Sequence, residues 1–170
     1  DFSLSVAATA TDGSDTAVTT GTITVSVDPD ADAPTLVVHD ASGTEDQPIA
    51  LDLSAMLNDT DGSESLSITI SGVPDGAELS AGVQNADGSW TLSAEQLSGL
   101  TITPPANSDA DFSLSVAATA TDGSDTAVTT GTITVSVDPD ADAPTLVVHD
   151  ADGTEDQPIA LDLSAVLNDT

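Results

Sequence analysis

Residues 1–60 recur at 111–170 with two differences, Ser42 against Asp152 and Met56 against Val166, which fixes a period of 110 residues. Solenoid units run to about 20–45 residues, whereas an independent sandwich domain takes about 100. The chain therefore reads as a string of similar units, each with its own core.

The phase of the repeat comes from its punctuation. Asp-Pro-Asp-Ala-Asp-Ala-Pro occurs at Asp28–Pro34 and again at Asp138–Pro144, each time between apolar alternating segments, and clustered Pro and Asp mark joints. Joints placed there divide the chain into the C-terminal part of one unit (1–32), a complete unit (33–142) and the N-terminal part of a third (143–170). The end parts lack a counterpart of residues 61–110, so neither is expected to bury a full core alone. Neighbouring molecules or a longer chain would complete them.

Within the unit the apolar period is two. Phe2, Leu4, Val6, Ala8 and Ala10 alternate with Ser3, Ser5, Ala7, Thr9 and Thr11, which gives an extended strand one apolar face. After the turn Thr11–Asp15, Ile23, Val25 and Val27 alternate with Thr22, Thr24 and Ser26, so the two strands read as a hairpin, repeated from Phe112. Further strands are expected at about 35–39, 48–53, 66–71, 89–93 and 100–103, with a helical turn over Ser93–Leu97. Roughly seven short strands in a unit of this size predict an all-β, Ig-like or cadherin-like antiparallel Greek-key β-sandwich in tandem repeats. Trp90, two residues before Leu92 on an alternating strand, is expected in the core rather than as a sugar-stacking platform.

Charge narrows the function classes. The chain carries 25 Asp, 5 Glu and no Lys or Arg, a formal charge of -30. Without basic side chains it has no means of pairing with phosphates, which excludes nucleic acid and anionic membrane surfaces as partners. The preponderance of Asp over Glu disfavours helices. There is no Cys and no apolar run long enough to span a bilayer, and no signal peptide opens the sequence, so it reads as internal to something larger.

Uncompensated acids repel one another and oppose compaction unless cations neutralise them. Calcium takes six to eight oxygen ligands, which carboxylates on short loops supply. Asp28, Asp30 and Asp32 stand two residues apart, so an extended linker would place them on one face. Asn58–Gly62, carrying Asp59 and Asp61, and the turn around Asp122 are expected at the N-terminal end of the unit, facing the first linker. At the opposite end Glu45-Asp46, Asp109 and Asp111 are expected, with Glu45 facing the second linker.

His39 and His149 follow Leu-Val-Val and precede Asp. A triad or a transition-metal site could use such a histidine, but no Gly-x-Ser-x-Gly nucleophile turn and no phosphate loop accompany it. They read as strand histidines near a joint, and no enzyme is expected. The sequon Asn58-Asp59-Thr60 has a better use in the acidic loop.

The stretch SVAATATDGSDTAVTTGTITVSVDPDADAPTL, at Ser5–Leu36 and Ser115–Leu146, resembles the end of a cadherin-type domain: an acidic turn, a hairpin and an acidic linker closing on proline. The whole unit, including DGSWTLSAEQLSGLTITPPANSDADFSLSV at Asp87–Val116, resembles more closely the tandem repeats of giant bacterial RTX adhesins exported by type I secretion, and the likeness covers the entire chain. That resemblance implies Ig-like extender domains stiffened by calcium at their joints, on the outside of a bacterial cell, holding a distal binding region away from it, as in biofilm and ice-binding adhesins. It implies Asp28, Asp30, Asp32, Asp59, Asp61 and Asp122 as ligands at the first joint, and Glu45, Asp138, Asp140, Asp142 and Asp169 at the second. The partners it implies are neighbouring repeats of the same polypeptide in a monomeric rod.

The sequence departs from animal cadherins. The Leu-Asp-Arg-Glu stretch has no match beyond Glu95, and there is no Trp near a unit's N-terminus for strand exchange. The glycine-rich nonapeptide repeats of RTX tails are absent as well. The expectation is a calcium-rigidified spacer, the rival reading being a carbohydrate- or ice-binding module.

Overall fold

The computed structural model describes residues 1–168. Its strands, in chain order, are β1 (Phe2–Asp12), β2 (Asp15–Val25), β3 (Thr35–Val38), β4 (Ala41–Thr44), β5 (Ile49–Ala50), β6 (Leu53–Met56), β7 (Glu64–Ser71) and β8 (Glu78–Leu79). They continue with β9 (Val83–Gln84), β10 (Trp90–Leu92), β11 (Thr101–Thr103), β12 (Phe112–Asp122), β13 (Asp125–Asp138), β14 (Thr145–Val148) and β15 (Leu163–Val166). A 3-10 turn covers Ala94–Leu97, where a helical turn is expected. Gln96 Oε1 closes it by accepting from the Ser93 amide at 2.9 Å, the reciprocal half of a capping box.

The residues from β3 to β13 form a two-layered Ig-like sandwich. One layer is a six-stranded sheet in the order β4-β13-β12-β7-β10-β9. Facing it lie the three-stranded β5-β11-β8 and the pair β3-β6. All pairings are antiparallel except β4 with β13, which run parallel. Alternation decides the core: Leu114, Val116, Ala118 and Ala120 of β12 turn inward beside Ile133 and Val135 of β13 and Ile68 and Ile70 of β7. The opposite layer supplies Ile49, Leu53, Leu79 and Ile102, and Trp90 is 8 % exposed within the same cluster.

Three features differ from the sequence expectation. The strand expected over 48–53 is two short ones, because β5 pairs with β11 while β6 pairs with β3. Strands β4, β8 and β9 were not expected, being too short to display a period. The hairpin return strand starts at Asp15 and Asp125 rather than near the glycine at Gly21 and Gly131. The cause is the loop Gly-Ser, whose glycine takes φ of 61° in one copy and 56° in the other. A left-handed first position matches the strand twist, so pairing resumes at once, from Asp12 opposite Asp15 and from Asp122 opposite Asp125.

Identical residues meet different fates in the two copies. Leu114 is fully buried whereas Leu4 is 48 % exposed. The reason lies in the neighbours: β12 is held between β13 and β7, with Val116 opposite Ile70 and Ala118 opposite Ile68, while β1 pairs with β2 alone. Likewise, among the described residues β14 pairs only with β15, and Leu146, Val148 and Leu163 are exposed.

Candidate cation-binding joints

At the first heptad the backbone N–H groups of the linker point at carboxylates of the sandwich that follows. Asp30 donates to Asp122 Oδ2 at 3.3 Å, Ala31 to Asp125 Oδ2 at 2.9 Å and Asp32 to Glu64 Oε1 at 2.6 Å. Local structure explains the convergence. Asp122 and Asp125 end the two strands joined by the tight Gly-Ser loop, and Glu64 opens β7 directly opposite Asp122. Pro29 lies over the same turn, where a Cβ on Gly123 would stand 3.4 Å from its ring.

The second heptad displays the other side of the same arrangement. Parallel pairing of β4 with β13 sets Thr44 beside Asp138, so Glu45 falls directly against the linker. Its N–H donates to Asp138 O at 3.0 Å, and its Oε1 accepts from the Asp140 N–H at 2.7 Å. Glu45 is 2 % exposed, a buried acid in a chain without Lys or Arg. Asp111 Oδ1 accepts from the Val137 N–H at 2.8 Å, and its copy Asp1 accepts from Val27 at 2.9 Å.

The residues expected as ligands are distributed as follows. Asp122 lies against the amide of Asp30 at the first linker, and Glu45 lies against Asp138 and Asp140 at the second. Asp28 and Asp142 have exposed side chains on their linkers. Asp59 and Asp61 are engaged within their own loop: Asp59 Oδ1 accepts from the Asp61 N–H at 2.9 Å, and Asp61 Oδ1 from the Ser63 N–H at 2.8 Å. The Ser63 hydroxyl and amide hold the Asp61 carboxyl below the usual carboxylate range. Asp169 lies outside the described residues.

Two acids that sequence reasoning passed over belong to the first joint, Asp125 and Glu64. Asp125 closes the turn of which only Asp122 was singled out, and a two-residue loop necessarily brings both ends together. Glu64 follows the Asp59–Asp61 loop at the start of β7, and the sequence signal for it was its rarity as one of 5 Glu. Among the described residues its Oε2 is buried and has no hydrogen-bond partner. An open cleft of about 490 Å³, lined by Met56, Leu57, Leu66, Ala94 and Glu64 among others, adjoins this corner.

Among the described residues no three carboxylates or imidazoles converge into a ready-made metal site. The donor set nevertheless suits a hard cation: it is all oxygen, it gathers at short turns, and it includes the orphaned Glu64 Oε2 and the buried Glu45. The histidines lie elsewhere. His39 Nδ1 stands 3.2 Å from Asp52 Oδ2 and His149 Nδ1 3.3 Å from Asp162 Oδ2, with all four side chains largely exposed.

No protein-family model and no curated protein matches the chain. Among solved structures it is similar to an endo-fucoidan hydrolase from glycoside hydrolase family 107, at 15% identity and a TM-score of 0.34. The match covers 99% of this chain and 30% of that one, so the chain spans under a third of that protein's length.

Proposed function

We propose that the chain is a non-catalytic extender segment of a large secreted bacterial surface adhesin, in which calcium at the acidic linkers stiffens successive Ig-like units into a rod. The observation that carries this reading is the rivalry for one amide. Asp30 and Asp140 occupy the same position of the heptad, 110 residues apart. The Asp30 N–H is taken by Asp122 of the unit ahead, and the Asp140 N–H by Glu45 of the unit behind.

A linker flanked by two complete units would thus draw a carboxylate from each side to one N–H, alongside its own Asp28, Asp30 and Asp32 counterparts. Like charges brought that close repel strongly in a partly buried site. A bound calcium ion supplies two positive charges and takes six to eight oxygens. Glu45 and Asp111 counterparts would hold it from behind, and Glu64, Asp122 and Asp125 counterparts from ahead. With the linker aspartates between them, these residues tie two rigid sandwiches through one hinge and remove its freedom to bend. Extracellular calcium modules bind at around 10⁻⁴ to 10⁻³ M, so stiffening would follow export.

Small-angle scattering of a longer polypeptide of several successive 110-residue units, in millimolar calcium and in chelator, tests the reading. The expected result is a longer maximum dimension and a higher melting temperature with calcium. If both are unchanged, the proposal fails.

A further inference from the structure

One contact between successive units is made by none of the carboxylates named in the proposed joint. Asn107 sits on the loop between β11 and β12 with φ of 52°, beside Asp46 at φ of 58°. Its N–H donates to Asp46 Oδ1 at 3.0 Å, which fixes the loop to the end of the central sandwich. Its side-chain Nδ2 reaches across the linker and donates to the backbone oxygen of Asn168 at 2.9 Å.

The acceptor end is equally well anchored. Asn168 Nδ2 donates to Ala143 O at 2.7 Å, and its Oδ1 accepts from Thr145 Oγ1 at 3.1 Å. The same clasp is made by its copy in the complete sandwich, where Asn58 Nδ2 donates to Ala33 O at 2.7 Å and Oδ1 accepts from Thr35 Oγ1 at 2.8 Å. Asn58 and Asn168 are therefore fixtures of the unit's first strand. A hydrogen bond to the Asn168 carbonyl grips the start of β14 rather than a free loop.

We propose that Asn107 is a positioning residue, a metal-independent latch that sets the orientation of the following unit before any cation binds. The relay Asp46–Asn107–Asn168–Ala143/Thr145 runs around the acidic linker and carries no positive charge. Its purpose rests on the extender reading, since only a rod benefits from a preset joint, but its chemistry does not. Holding the units close to their final orientation lowers the ordering cost of closing the joint, as preorganisation does in any association. The simpler role of Asn107, as one of the few residue types that tolerate a left-handed backbone, leaves its side chain with no function across the joint. The two roles are separable.

Asn107→Gly keeps the left-handed turn and the bond to Asp46 but removes the side-chain donor. Asn107→Asp keeps the shape and sets an acceptor against the Asn168 carbonyl. Because the chain has no cysteine, Thr132→Cys and Ser164→Cys, both exposed, take one spin label each in the full chain. Distances between the labels are then measured in chelator, with the melting temperature of each variant as the control for folding.

The parent is expected to give one dominant distance. Both Asn107 variants should lower the ratio of docked to undocked molecules by roughly threefold to tenfold, the worth of a single hydrogen bond. Distributions for Asn107→Gly and Asn107→Asp that match the parent's in chelator overturn the latch. The latch stands or falls on this chelator measurement alone, and the calcium reading on the scattering of successive complete units, so the failure of one is distinguishable from the failure of the other.

Discussion

Gly131 and Gly21 occupy the same position of the repeat, yet one is crowded and the other is not. A Cβ on Gly131 would come within 2.8 Å of Val38 Cγ2, whereas one on Gly21 would meet nothing within 4 Å. The close approach is how β3 packs onto β13. Gly131→Ala should therefore destabilise the central sandwich by about 1–3 kcal/mol, while Gly21→Ala in the same chain should fall within about 0.5 kcal/mol of the parent. Denaturant melts of the two variants check this, and equal effects would contradict the packing. Asp87 offers a second test at this scale. Its Oδ1 accepts from the Ser89 hydroxyl at 2.7 Å and from the Ser89 amide at 3.1 Å, which hold the carboxyl below its usual value of 3.8. A carboxyl depressed in the folded state stabilises fully above that usual value and loses its contribution as pH falls through the folded pKa. The Asp87 carbon resonance should titrate with a midpoint below 3.8, and Ser89→Ala should move it back up.

At the scale of elements, the joint depends on a strand that no periodicity announces. Ala41–Thr44 is too short to alternate, and it pairs parallel with Val135–Asp138, some 94 positions along the chain. Sequence reading finds β1, β7, β12 and β13 because their apolar residues recur at every second position, turned toward the core in β7, β12 and β13. It misses β4, β8 and β9 because pairing partners alone define them. The same divide runs through the acids. Those in the heptads are legible from spacing, whereas Asp125 and Glu64 join the site through strand register. Because β4 presses Glu45 against the linker at 2 % exposure, its charge should cost stability when no cation answers it. Glu45→Gln should then raise stability in chelator by about 1–2 kcal/mol and lower it relative to the parent in calcium. Thermal melts in the two buffers measure the reversal. A loss of similar size in both would mean that Glu45 serves only as a hydrogen-bond acceptor for Asp140.

For the whole molecule the question is what balances a charge of -30, and two answers predict different behaviour. General screening requires only ionic strength: the Debye length shrinks to about 8 Å at 0.15 M salt, and any salt then relieves the repulsion alike. Specific joints require an ion that accepts several carboxylates in flexible geometry, which calcium does and magnesium, with its strict octahedron and tightly held water, does poorly. At calcium about a hundredfold above its dissociation constant each site adds about 2.7 kcal/mol to the state that binds it. That corresponds to a rise in melting temperature on the order of 10 °C. Sodium at matched ionic strength should give a smaller rise, and magnesium one closer to sodium's than to calcium's. Acid should abolish the calcium increment, because carboxylates bind the ion only when deprotonated. Differential scanning calorimetry in sodium, magnesium and calcium at matched ionic strength, repeated at neutral pH and near pH 4, separates the answers. Equal shifts from all three cations would leave the linkers as solvated spacers and remove the reason for their carboxylates to face both neighbours.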